Sequence, residues 1–320
     1  MEYRKLGKSG IKVSAISLGA WLTYGSSRVE EDNAIACIRH AIEREINFID
    51  VADVYALGRA EEIVGRAVQP FKRSDLVIST KAYWPMSQNV NDRGLSRKHI
   101  TESVNQSLKR FGLEYIDIFF CHRYDPETPV EETIRAIEDL IAQGKIFYWG
   151  TSMWTAANLD EALQVVDEIN ANRPIVEQPL YNMLDRGVVE GALEAAVARH
   201  GMGLVVWSPL AQGVLTGKYN NGIPEDSRAK SVDMEWFKAQ ITEERLTKAR
   251  AITALAAEIG TTPAALAIAW TLKNPHVSSA ITGATKLSHV DDNLKALEVQ
   301  ITDEINARIE AILGGNVVGV

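Results

Sequence analysis

The chain is poor in cysteine. Only Cys37 and Cys121 occur among 320 residues, too few for a disulfide scaffold or a pair of metal-binding CxxC knuckles. Both lie in apolar segments, where a thiol serves as a small buried hydrophobe. Long hydrophobic runs are also missing. The longest uncharged stretch, residues 201–217, is interrupted by Gly, Ser, Pro and Gln, and it falls short of the ~20 apolar residues a membrane helix needs. The opening MEYRKLGKSG lacks the apolar core of a signal peptide. A basic excess is absent too: 34 Lys and Arg stand against 42 Asp and Glu, a net charge of −8. Such a chain has no general reason to bind nucleic acid. No GxGxxG follows a strand, so the usual dinucleotide fingerprint is lacking. The segment 213–219 resembles a P-loop but is one residue short, with Tyr219 where Ser or Thr would hold magnesium. No histidine pair has zinc-protease spacing, and no metal site is expected. The expectation is a soluble, reduced, cytoplasmic protein.

What is present is ordinary globular composition, 46% hydrophobic and 24% charged, with a regular alternation. Apolar runs rich in Val, Ile and Phe begin near Ile16, Asn47, Leu76, Ile116, Ile146, Pro174, Gly203 and Val277. Most recur at roughly 30 residues, the length of one strand-plus-helix unit. They lack polar alternation, as strands buried on both faces do. Helices are signed between them. The pattern predicts one over 129–143, with a capping box of Thr128 and Glu131, Pro129 in first position and Gly144 beyond the end. Others are expected over 33–45 and 97–111, and from Thr262-Pro263 to Asn274-Pro275. Eight such units predict a single closed (β/α)8 barrel domain, of the TIM barrel type, over residues 1–320. A hairpin turning at Lys8-Ser9-Gly10 would plug its bottom. Long connections fall after the third strand, near 82–95, and after the seventh, over 209–240, lengths that suit functional loops.

Barrel enzymes carry their chemistry at the C-terminal ends of strands. Asp50, Lys81 and His122 stand at such ends, and Tyr55 follows Asp50 in the next loop. A Lys closing an apolar strand needs a carboxylate partner, and Asp50 on the neighbouring strand is available. Tyr55 over that ammonium would have its phenolate favoured and its pKa lowered. It would then donate a proton to a developing alkoxide while His122 orients a carbonyl. Taken singly, each residue has an ordinary reading: a structural ion pair, a core histidine, a packing tyrosine. Lys81 alone would also suit a Schiff-base aldolase. Trp21, Tyr24, Tyr83, Trp84, Tyr124 and Trp154 form a candidate aromatic rim, of which Tyr24, Trp84 and Tyr124 are expected to contact substrate.

Several stretches in order resemble the aldo-keto reductases, in the subgroup related to the β subunits of voltage-gated potassium channels: YRKLGKSGIKVSAISLG, FIDVADVYALGRAEEIVG, LVISTKAYW, GLSRKHI, LEYIDIFFCHRYDP, GKIFYWGTSMW, EQPLYNM, VWSPLAQGVLTGKY and ITGATKLSHVDDN. The resemblance implies a barrel that binds NADPH in extended form without a Rossmann fold. It implies a tetrad of Asp50, Tyr55, Lys81 and His122 with Tyr55 as general acid. The nicotinamide would stack on Trp207, with Trp21 nearby and Ser152 and Gln178 on its carboxamide. Ser208, Pro209, Leu210 and Gln212 would follow the pyrophosphate, with Lys218 and Arg228 neutralising it. Gly283, Thr285, Lys286, His289, Asp292 and Asn293 would hold the adenosine end. A cation and hydroxyls near a helix N-terminus favour NADPH over NADH.

The sequence also departs from its relatives. His122 stands where the channel subunits have Asn, which favours turnover. Val51 replaces a usual Thr, Met153 an Arg, and His289 a Gln or Arg. The implied activity is carbonyl reduction; the alternative is a cofactor-sensing auxiliary subunit of a potassium channel. The relatives imply a homo-tetramer or larger ring.

Overall fold

A computed structural model describes residues 1–25, 29–225, 227–230 and 235–314, without the side chains of residues 228, 235 and 236. Among the described residues ten strands are present: β1 (Tyr3–Lys5), β2 (Lys12–Ser14), β3 (Ile16–Gly19), β4 (Phe48–Asp50), β5 (Val77–Ala82), β6 (Ile116–Cys121), β7 (Ile146–Ser152), β8 (Val176–Gln178), β9 (Gly203–Trp207) and β10 (Val277–Thr282). β3 to β10 close into an eight-stranded barrel, and every pair in it is parallel. All eight apolar runs are barrel strands. Helices lie between them and pack the outer face of the sheet.

Helix limits follow local chemistry. Residues Arg97–Phe111 are helical as the pattern predicts, opened by Ser96 and closed by left-handed Gly112. Thr262 caps Pro263–Lys273, its hydroxyl accepting from Ala265 N at 3.1 Å. The helix predicted over 129–143 runs Val130–Ala142, and its capping box is not made. The Thr128 hydroxyl instead donates to Asp125 Oδ2 at 2.7 Å. Asp125 also accepts from Leu95 N, so the carboxylate binds the preceding loop together and outcompetes the cap. The first helix runs Glu31–Glu43, shifted two residues toward the N-terminus of the expected 33–45.

The antiparallel hairpin β1–β2 closes the barrel bottom. Its Leu6 and Val13 pack on the first inward side chains of the strands, Phe48, Val77, Val176 and Val205. At its turn, Lys8 N donates to Gly201 O at 2.8 Å. Gly7 adopts φ +54°, and a Cβ there would lie 2.3 Å from Gly201 O, so glycine is required. Cys37 and Cys121 are buried, and burial pushes the Cys121 thiol up. No single helix among the described residues is long and apolar enough to cross a membrane.

Candidate active site

Side chains alternate along a strand, so every second residue points into the barrel. Phe48, Val77, Ile118, Val176 and Val205 form the lower apolar interior. Stepping upward in twos from these gives Asp50, Ser79 and Lys81, Phe120 and His122, Gln178, and Trp207. The parity that fills the bottom with hydrocarbon therefore carries the polar residues to the top.

There Lys81, with no exposed surface, is held by three partners. Its Nζ donates to Asp50 Oδ2 at 2.7 Å and Val51 O at 2.6 Å, and lies 3.4 Å from the Tyr55 hydroxyl. These account for all three ammonium protons. Asp50 Oδ1 accepts from Ser79 Oγ at 2.8 Å and from Gln178 Nε2 at 2.9 Å. Five polar side chains thus form one network, four of them buried and Tyr55 half-buried at its edge, which is how an ion pair survives removal from water. The Tyr55 and His122 rings meet edge-on, with centroids 5.8 Å apart.

Burial dominates the protonation of this cluster. It lowers Lys81, an effect partly offset by Asp50. It moves His122 well below its usual range, with Lys81 and Arg123 adding to the effect, so the imidazole is neutral. It raises Tyr55 well above 10.0, and the Asp50 charge raises it further. The expected lowering of Tyr55 is therefore corrected: desolvation of a buried phenolate outweighs the neighbouring ammonium. The hydroxyl is firmly protonated at neutral pH. His122 Nδ1 is buried without a partner among the described residues.

Above the cluster lies a long cavity of about 1470 Å³, larger than the roughly 300–1,000 Å³ of an ordinary ligand pocket. Tyr55, Trp84 and His122 line one end. Trp21, Ser152, Gln178 and Trp207 follow, then Ser208, Pro209, Leu210, Gln212 and Lys218, and Gly283, Thr285, Lys286, His289, Asp292 and Asn293 line the remainder. Trp21 and Trp207 meet at 82°, centroids 5.7 Å apart, so neither ring lies flat on the other. Arg228 belongs to a short turn at Arg228–Lys230, but its side chain lies outside the described residues.

The residues suit an extended dinucleotide. After β9 the backbone is left-handed at Ser208 (φ 54°), Ala211 (46°), Gln212 (56°) and Gly213 (102°). The loop is closed on itself, with Ala211 N donating to Ser208 O and Gly213 N to Leu210 O, both at 2.9 Å. A Cβ on Gly213 would lie 2.5 Å from Lys218 Cε, so glycine lets that lysine cross the loop. Gln212 Oε1 is buried without a partner among the described residues. At the far end, His289 Nδ1 lies 3.4 Å from Thr285 N. Burial lowers His289, and Lys286 and Lys218 lower it further against the opposing charge of Asp292. Asp292 is taken by Lys295 at 2.7 Å. Among the described residues no cluster of His, Cys, Asp and Glu could hold a metal ion.

Two expected substrate contacts do not reach this cavity. Tyr24 is core: its ring is buried and its hydroxyl donates to Ala284 O at 3.1 Å. Tyr124 turns outward, donating to Glu161 at 2.9 Å and meeting Trp154 edge-on. Ser79, Arg123 and Asn33 were not singled out by sequence. Ser79 was findable, since it shares Lys81's strand parity two residues earlier.

Comparison with known proteins agrees with this architecture. Residues 15–314 match the aldo/keto reductase family. A probable voltage-gated potassium channel subunit beta of Arabidopsis thaliana is 46% identical over 98% of this chain and 97% of its own length. A protein of the same description from Oryza sativa subsp. japonica is 46% identical over the same shares. A putative voltage-gated potassium channel subunit beta of Schizosaccharomyces pombe is 44% identical over 98% of this chain and 93% of its own. The chain belongs to the aldo/keto reductase family.

Proposed function

We propose that the protein is an NADPH-dependent reductase of aldehydes and ketones. The observation that carries this reading is the Tyr55 hydroxyl 3.4 Å from an ammonium that Asp50 holds at 2.7 Å, with a neutral His122 beside it. Bound NADPH would supply the hydride that reduces the carbonyl carbon. Tyr55 donates its proton to the carbonyl oxygen as negative charge develops there. Its high pKa keeps the proton in place until that moment. Lys81 then faces the nascent phenolate and stabilises it, while Asp50, Ser79 and Gln178 keep the ammonium aimed. His122 offers a ring N–H to the same oxygen and fixes the carbonyl's orientation. Trp207, Ser152 and Gln178 would hold the nicotinamide, and the left-handed loop with Lys218 the phosphates. Lys286 and His289 would receive a 2′-phosphate, which is the basis for preferring NADPH to NADH.

Tyr55→Phe is the test. The variant should bind NADPH, read as quenching of tryptophan fluorescence, yet fail to oxidise it with an aldehyde panel. Equal rates in parent and variant would remove Tyr55 as the acid, and no quenching by either cofactor would remove the reductase reading.

The channel-subunit relatives support a second reading, in which slow turnover sets the cofactor state of an auxiliary subunit and the chain assembles as a ring. Co-purification with a potassium channel would favour it. Brisk multiple turnover without a membrane partner would count against it.

A further inference from the structure

Arg123 follows His122 at the mouth of β6 and lines the catalytic end of the cavity. It is half-buried. Its Nη1 donates to His122 O at 2.5 Å, and its guanidinium carbon lies 5.4 Å from the centroid of the Trp84 ring. One carbonyl and one aromatic face thus hold a group that has five N–H donors. Among the described residues no carboxylate forms an ion pair with it. Among the carboxylates lining the cavity, Asp50 is taken by Lys81, Glu225 by Lys230 and Asp292 by Lys295. Glu30 stands at the other end, beside the helix whose Asn33 bonds Thr285 O. Among the described residues none of these pairs with Arg123. Glu177 acts on it through space, but burial raises that carboxyl to about 8, so at neutral pH it is largely uncharged.

A partly desolvated guanidinium without a counter-ion is a standing cost, removed when a ligand brings the missing charge. Guanidinium and carboxylate match in plane and spacing, and the pairing is stronger where water is sparse. We propose that Arg123 selects carbonyl substrates that also carry a carboxylate, which it pairs with while the carbonyl lies between Tyr55 and His122. Trp84 below the guanidinium supplies an apolar platform for the carbon skeleton between the two groups. This inference rests on the reductase reading for its biological meaning, but the anion subsite can be measured without turnover.

The experiment compares ligands that differ only in charge. Binding of benzoate and its neutral counterpart benzamide is measured by tryptophan fluorescence in parent, Arg123→Gln and Arg123→Lys, at low and high salt. The parent should bind benzoate at least tenfold tighter than benzamide, with the preference shrinking in salt. Arg123→Gln should abolish the preference, and Arg123→Lys should restore part of it. Kinetics with 4-carboxybenzaldehyde and 4-carbamoylbenzaldehyde should show the same ratio in kcat/KM, and the same loss of ratio in Arg123→Gln. A parent that binds both ligands equally, or an Arg123→Gln variant that keeps the preference with an unchanged melting temperature, overturns the inference. If the charge preference is present and depends on Arg123 but neither aldehyde is reduced, the anion subsite stands and the reductase reading fails.

Discussion

The two ends of the barrel interior are built by the same strands and behave as opposites. At the bottom, Phe48, Val77, Val176 and Val205 meet Leu6 and Val13 of the hairpin in hydrocarbon alone. At the top, two or four residues further along, β4, β5 and β8 present Asp50, Ser79, Lys81 and Gln178 in a closed polar network. The lower layer stabilises without doing chemistry. The upper layer holds a buried cation and carboxylate that cost folding free energy, and on the proposed function they are retained for what they do to Tyr55. Stability and reactivity are thus separated along each strand rather than between strands.

The sharpest way to break this division is to strike both ends. Tyr55→Phe removes one hydroxyl from the top and should lower kcat/KM by about a hundred- to ten-thousand-fold, with little change in urea midpoint. Lys81→Met should abolish turnover and also destabilise by about 3–5 kcal/mol, because Asp50 is left buried and unpaired; Lys81→Met with Asp50→Asn should recover much of that stability and none of the rate. At the bottom, Leu6→Ala should cost about 2–5 kcal/mol in urea unfolding, while folded protein keeps its cofactor affinity.

A pH experiment sharpens the same contrast. Burial raises Asp53 to about 7 and Glu177 to about 8, and both lie near the top. Asp53 accepts from Ser103 Oγ at 2.7 Å, and Glu177 is bound by the Thr151 hydroxyl and by Trp154 N at 3.2 Å. A carboxyl raised on folding binds its proton more tightly in the native state. Its contribution is complete below the unfolded value near 4 and is lost as pH rises through the folded value. Stability should therefore fall between about pH 5 and 8, each carboxyl contributing a slope of up to roughly 1.4 kcal/mol per pH unit. Asp53→Asn or Glu177→Gln should flatten that fall, as followed by urea titration across the range. The smallest effect is expected far from the interior: Thr262→Ala loses a helix cap and should cost about 1 kcal/mol.

Much of this was legible beforehand. Eight apolar runs became eight barrel strands because strands buried on both faces are rich in Val, Ile and Phe, with polar residues gathering toward their C-terminal ends. Asp50, Lys81 and His122 could be placed at strand mouths because strand ends are marked by the change to polar residues. Tyr24 and Tyr124 were not separable from true rim residues. An aromatic in a loop reads alike in sequence whether its hydroxyl meets Ala284, Glu161 or solvent. The capping box at Thr128 failed for a similar reason, since its competitor, Asp125, is supplied by a loop fold that local pattern does not reveal. The sequence does not mark Arg123, because nothing local tells a solvated arginine from one laid on Trp84.

By itself the sequence determined the element order, the barrel, and which polar residues stand at the strand mouths, since these follow from local periodicity and strand parity. Only the tertiary structure decided the protonation of Tyr55, the closure of the Asp50–Lys81–Gln178 network and the missing counter-charge at Arg123. Those are set by depth from water and by neighbours far apart in the chain, as between Gln178 and Asp50, 128 positions apart. Desolvation is a property of the assembled barrel, and no window of residues contains it.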